Sequence, residues 1–98
     1  MSITTVTEGK IHTIKVVGQF DFNVQREFRA AYESIDTSMN FIIDFQKVDY
    51  MDSSALGMIL LLRDYVGATQ GKITLAHCNS EIRSILDVSN FQKLFTLT

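Results

Sequence analysis

The sequence predicts an α/β domain with a mostly parallel or mixed sheet of about four to five strands and about three helices. Three observations predict it. Strand-length apolar runs alternate with helix-length amphipathic stretches, the order that gives parallel sheets joined by right-handed crossovers. Phe41-Ile42-Ile43-Asp44-Phe45 is a nearly continuous apolar run of strand length, the mark of a central strand covered on both faces. Polar turns bearing Asp, Asn and Ser stand before the helical stretches, where capping residues belong.

Taken in order, Ile3 to Val6 reads as a short edge strand, followed by a turn at Glu8-Gly9. Ile11 to Val17 is a strand by alternation, with Ile14 and Val16 on one face and Thr13 and Lys15 on the other, and Gly18 ends it. Gln19 to Asn23 reads as a loop in which Asp21 or Asn23 caps the next helix. That helix, Val24 to Ile35, sets Val24, Phe28, Ala31 and Ile35 on one stripe. Asp36-Thr37-Ser38 breaks it, and the Phe41–Phe45 strand follows, with Asp44 bonding the next turn. A second helix runs from Ser53 to about Ala68, with Gly67 and Gly71 as stop signals. Lys72 to Ala76 is a strand, Asn79-Ser80 caps a helix over Glu81 to Val88, and Leu94 to Leu97 is the last strand.

Ninety-eight residues, 46% of them hydrophobic, suit one domain spanning 1–98. The net charge of −2 and the scattered basic residues give no footprint for nucleic acid. The start lacks the pattern of a signal peptide, and the longest apolar run, Met58 to Leu62, is far short of the ~20 residues of a membrane span. The expectation is a cytoplasmic protein not inserted in a membrane. Cys78 is the sole cysteine, so no intramolecular disulfide forms, and it reads as a small apolar filler.

Val48 to Asp64 carries the most chemistry: a strand feeds an acidic turn, and Ser53 and Ser54 open an apolar helix. A helix start offers free N–H groups and the positive end of the dipole. By residue type alone, a serine there is usually a cap. Two features point beyond a cap. Ser53 and Ser54 both follow Asp52, where one residue would suffice. The helix also carries apolar residues all round, with Leu56, Leu60 and Leu61 outside the arc of Met58, Ile59, Leu62, Tyr65 and Val66. That surplus fits either a partner surface or a helix sandwiched in the core. A phosphate on Ser53 would bring about −1.5 to −2 charge to an acidic patch. Once discounted for exposure, each like-charge pair would cost ~1 kcal/mol or less.

Other chemistries are weaker. There is no G-x-S-x-G around Ser53, and His12, in line with Ile14 and Val16, reads as a core or edge histidine. His77-Cys78 cannot make a four-ligand metal site, and Asp44, Asp49 and Asp52 lack the motifs of a magnesium pocket. No catalytic residue, metal or cofactor is assigned.

Met51-Asp52-Ser53-Ser54-Ala55-Leu56-Gly57 resembles the phosphorylation motif of the bacterial anti-sigma factor antagonists, in the STAS domain family. Phe41–Phe45 with Val48-Asp49-Tyr50, the turn Gly18-Gln19-Phe20-Asp21 and the late segment Asp87-Val88-Ser89-Asn90-Phe91 resemble that family's other segments in the same order. The resemblance implies a STAS-like fold and a non-enzymatic, phosphorylation-switched binding module. Ser53 would be the phosphoacceptor, with Ser54 as the fallback. A serine kinase of ATP-binding fold, itself the anti-sigma factor or switch protein, would modify it, and a PP2C-type phosphatase would reverse this. The unphosphorylated form would sequester the anti-sigma factor and so regulate transcription. Asp21, Asp52 and Ser54 would shape the surroundings of Ser53, while Phe22, Asn23, Met58 and Leu61 would touch the partner. Two departures stand out: Ala55 replaces a frequent Gly, and the chain stops just after its last strand, leaving that strand as a possible exposed edge. The alternative is an accessory STAS subunit of an ABC-type lipid transporter. Such relatives tend to carry Asp-Thr-Gly-Gly where this chain has Asp52-Ser53-Ser54-Ala55. A scaffold that is never modified is a third reading.

Overall fold

The computed structural model describes residues 2–67 and 72–98. Strands β1 (Ile3–Glu8), β2 (Ile11–Phe20), β3 (Asn40–Met51), β4 (Ile73–Ala76) and β5 (Thr96–Leu97) lie side by side in chain order. β1 is antiparallel to β2, and each later pair is parallel. Helices α1 (Gln25–Ala30), α2 (Ser53–Tyr65) and α3 (Ser80–Val88) link the parallel strands, with 3-10 turns at Phe22–Val24 and Phe91–Lys93. The mixed α/β sheet expected from the sequence is therefore present, and β5 is an edge.

Strand order fixes the layers. When parallel strands follow one another in chain order, crossovers of one hand put every helix on the same side. Burial agrees: Ile14, Val16, Phe41, Ile43, Ile73 and Leu75 are buried on one face. Their neighbours Thr13, Lys15, Ile42 and Thr74 on the other face are partly or fully exposed. Phe41–Phe45 is thus covered on one face, not two, and its pattern is an alternation that Ile42 masks. Such a sheet also lacks the strand-order reversal that makes a ligand crevice in doubly wound folds. What its strand ends offer is a surface.

Two strands run further than their sequences suggest. Gly18 does not end β2: it sits at φ +84 where the register shifts, β3 carries the extra residue there, and β2 continues through Gln19 and Phe20. β3 likewise passes a register shift beyond Asp44 and reaches Met51. There Asp44 accepts the Gln46 N–H at 2.9 Å, as expected of a residue that bonds its own turn. It also meets the His77 ring at Nδ1, 2.9 Å away.

α1 is shorter than predicted, and His12 supplies a reason. The His12 ring is buried between two partners, Thr7 Oγ1 at Nδ1 and the Ala31 carbonyl at Nε2, both at 2.7 Å. His12 is a core histidine. The Ala31 carbonyl is the one Ile35 would use to extend the helix, and the Ile35 N–H bonds Tyr32 instead. α2 ends at Tyr65, with Gly67 at φ +90 beyond it as expected of a C-terminal glycine. The predicted extension to Ala68 and the stop at Gly71 lie outside the described residues. Asn79 caps α3 by accepting the Ile82 N–H at 2.8 Å. The last strand is trimmed to Thr96–Leu97 because Phe91–Lys93 turns as a 3-10 helix.

Candidate functional site at the start of α2

Phe20 pairs with Met51 in the parallel ladder, so Asp21 and Asp52 follow at neighbouring strand ends. The Asp52 N–H reaches the Phe20 carbonyl at 3.4 Å and ties the two turns together. Asp21 then accepts the Asn23 N–H at 2.9 Å, which caps the 3-10 turn and leaves Phe22 64% exposed. Asn23 is exposed and is not the cap.

The helix start divides its roles among three residues. Asp52 is the N-cap: its Oδ1 accepts the N–H groups of Ser54 at 3.0 Å and Ala55 at 3.4 Å. The Ser54 hydroxyl donates to the same oxygen at 2.5 Å. Ser53, the first helical residue, is exposed, and its hydroxyl has no partner among the described residues. Capping by Ser53, the ordinary reading of its sequence position, is therefore excluded, because the Asp52 carboxylate already fills that role. A phosphate on Ser53 would meet fewer open amides than a bare helix start offers, since Asp52 has taken two of them.

α2 is not sandwiched. Ala55, Met58, Ile59 and Leu62 are buried. Ser53, Gly57, Leu60 and Leu61, at spacings of four, three and one, form an exposed stripe on its outer side. Leu61 is 51% exposed. Met58, expected on the surface, is buried in the core because it lies on the sheet-facing arc of the helix. Tyr50 is a surface residue that sequence reasoning passed over. It stands 54% exposed two residues before Asp52. The signal was the pair Asp49-Tyr50, two outward residues in succession where strict alternation would bury one.

Charge at the site is negative. The Ser54 hydroxyl foremost, with the Ala55 and Ser54 amides, holds the Asp52 carboxyl below the usual carboxylate range against the opposing effect of burial. The Ser38 N–H and hydroxyl lower Asp36. Burial pushes Asp44 upward, but the Gln46 N–H, His77 and Lys15 outweigh it. A carboxyl lowered in the folded state gives stability above its unfolded pKa, and that stability is lost as pH falls through the folded value. Urea midpoints are therefore expected to hold steady from about pH 7 to 5 and to drop below about pH 4, with a smaller drop in Asp44→Asn. An unchanged midpoint near pH 3 contradicts this. The Cys78 thiol donates to the Leu75 carbonyl and is pushed up to about 11 by burial, as befits a packing residue rather than a nucleophile.

An exposed serine at the start of a capped helix, at the strand ends of a singly wound α/β sheet, is the arrangement this fold presents. The STAS domain family model matches residues 2–98, and the chain belongs to that family. It is 44% identical to a STAS-domain containing protein of Pseudomonas aeruginosa (strain UCBPP-PA14), across 100% of both chains. BtrV of Bordetella bronchiseptica, a proposed anti-sigma factor antagonist, is 26% identical over 55% of this chain and 47% of its own. Among solved structures, the unphosphorylated anti-sigma factor antagonist SpoIIAA superposes with TM-score 0.72, at 18% identity over 98% of this chain and 86% of its own. The phosphorylated form of SpoIIAA from Bacillus gives 0.67, at 16% identity over 98% and 90%. A sulfate transporter family protein from Wolinella succinogenes gives 0.72, at 13% identity over 93% and 80%. These structures share the fold with this chain. No described helix is long and apolar enough to cross a membrane.

Proposed function

We infer that this STAS domain is an anti-sigma factor antagonist, a cytoplasmic, non-enzymatic binding module switched by phosphorylation of Ser53. The observation that carries the reading is the division of labour at the helix start. Ser53 presents an exposed hydroxyl with no partner among the described residues, whereas the Ser54 hydroxyl is held by Asp52. An attacking serine must align its oxygen with the γ-phosphoryl group and give up a proton to a base, which here the kinase supplies. Ser53 can do so without breaking a bond of its own fold; Ser54 cannot.

The switch follows from charge. In the unphosphorylated state the partner, a serine kinase of ATP-binding fold that is itself the anti-sigma factor, rests on Phe22, Asn23, Tyr50 and the Leu60–Leu61 end of the α2 stripe. Asp21 and Asp52 border Ser53. Asp52 already occupies the Ser54 and Ala55 amides, so the new dianion is not absorbed by the helix and stays on the contact surface. The partner is released, and a PP2C-type phosphatase restores the binding form.

Affinity purification of the tagged chain from its own bacterium, with the bound proteins identified, tests the reading. A soluble serine kinase that releases on addition of ATP is the expected result. Recovery of a membrane-bound ATPase instead would favour the accessory subunit of a lipid transporter.

A further inference from the structure

The open edge of β1 has properties that the switch at α2 does not use. β1 pairs with β2 in unbroken register from Ile3 to Glu8, closed by a turn with Gly9 at φ +58. The Val17 N–H bonds the Ser2 carbonyl at 2.8 Å, which sets the phase of the ladder. Alternate residues bond across an antiparallel pair, so Thr4, Val6 and Glu8 face β2 with their backbone groups. The N–H and C=O of Ile3, Thr5 and Thr7 then point away from the sheet, and Thr5 and Thr7 are exposed. Natural edge strands are blunted by proline, lysine or a bulge. Ile3-Thr4-Thr5-Val6-Thr7-Glu8 has none of these.

Beside this edge lies a cavity of about 450 Å³ between β1 and α1, lined by Ile3, Thr4, Thr5, Glu27, Ala30 and Ala31. Thr5 is opposite Ile14 and so sends its side chain to the helix side, toward this cavity. The Glu27 Oε2 atom is shut off from solvent and has no hydrogen-bond donor among the described residues. Glu27 as a whole is partly exposed and lines the groove, so its carboxylate can receive a donor from that side, and a cation serves best.

We propose that the β1 edge and the β1–α1 groove bind an extended segment of a partner protein, which adds a sixth strand and sets a Lys or Arg side chain against Glu27. Backbone bonds to Thr5 and Thr7 give the affinity and the groove gives the selectivity, as in other strand-addition complexes. Charge argues against a second copy as the occupant. Antiparallel pairing of two β1 strands needs a two-fold axis perpendicular to the sheet. That axis sets both helical layers on one face and brings both Glu27 residues to the seam, while β1 itself contains no cation.

The test is an NMR titration of the ¹⁵N-labelled full chain with the peptide acetyl-Val-Thr-Val-Lys-Val-Thr-amide and its Lys-to-Glu control. Saturable shifts at Ile3, Thr5, Thr7 and Glu27 to Ala31 are expected, with slowed exchange of the Thr5 and Thr7 amides. Glu27→Gln is expected to weaken binding about tenfold, the scale of one charge-assisted hydrogen bond. Thr5→Pro removes an outward donor but leaves the β1–β2 bonds in place, so it is expected to abolish binding while the spectrum stays dispersed. An unchanged spectrum with the lysine peptide overturns the proposal, as does equal binding of the glutamate control. Amide protection that appears without peptide and fades on dilution would identify a second copy as the occupant and overturn it too.

Discussion

Ser53→Asp is expected to weaken binding to the kinase partner about tenfold or more while leaving the fold intact. Ser53 is exposed and its hydroxyl bonds nothing among the described residues, so no native contact is lost with it. An acidic residue at the first helical position also agrees with the helix dipole, and surface changes of this kind stay within about 0.5 kcal/mol. The loss falls on the complex. A carboxylate placed where the partner packs loses its hydration as the complex forms, and with displaced apolar contacts this passes the ~1.4 kcal/mol of a tenfold change. Calorimetric titration of the wild type, Ser53→Asp and Ser53→Ala checks it. Ser53→Ala is expected to bind as the wild type does and to resist release by ATP. Equal affinity of all three would remove charge from the account.

Phe20→Ala is expected to cost about 3–5 kcal/mol, the range for emptying a buried aromatic site. Phe20 has 0% exposure and its ring lies 5.2 Å from Phe28 and 6.0 Å from Phe45, so it joins α1 to the sheet directly beneath the site. A domain of this size has about 5–15 kcal/mol in total, so the variant loses a large share of its stability. The effect reaches function as well. The Phe20 carbonyl receives the Asp52 N–H, and slackening at Phe20 tilts the residue that caps α2. Urea denaturation reads the loss, and a midpoint within error of the wild type would contradict the packing described. Phe20→Leu, which refills most of the volume, is expected to lose much less.

The sequence was most legible where local chemistry and tertiary structure agree. Asn79 before α3, Gly67 after α2 and the alternation of β2 from His12 to Val16 each have a local cause. Three features hid from it for non-local reasons. The carbonyl that ends α1 is taken by His12, 19 residues earlier in the chain, which no helical period records. Ile42 made β3 look covered on both faces, whereas the open face follows from strand order across the whole sheet. Gly18 reads as a stop, yet β2 runs on past it, because the extra residue opposite the Gly18–Gln19 step is taken up by the partner strand β3. At the site, the sequence brought Asp52, Ser53 and Ser54 together but could not say which one caps. A carboxylate and two hydroxyls all suit that position, and only geometry separates the carboxylate that holds the amides from the hydroxyl left free. Met58 and Leu61 show the same limit: three residues apart on one apolar helix, they end on opposite sides of the boundary between core and surface.

The most direct measurement is incubation of the chain with its copurified kinase and ATP, followed by tandem mass spectrometry of the peptide spanning Met51 to Arg63. One phosphoryl group on Ser53, with Ser54 unmodified, is the predicted result. A phosphoryl group on Ser54, or none on either serine while the kinase modifies another protein, would contradict the account.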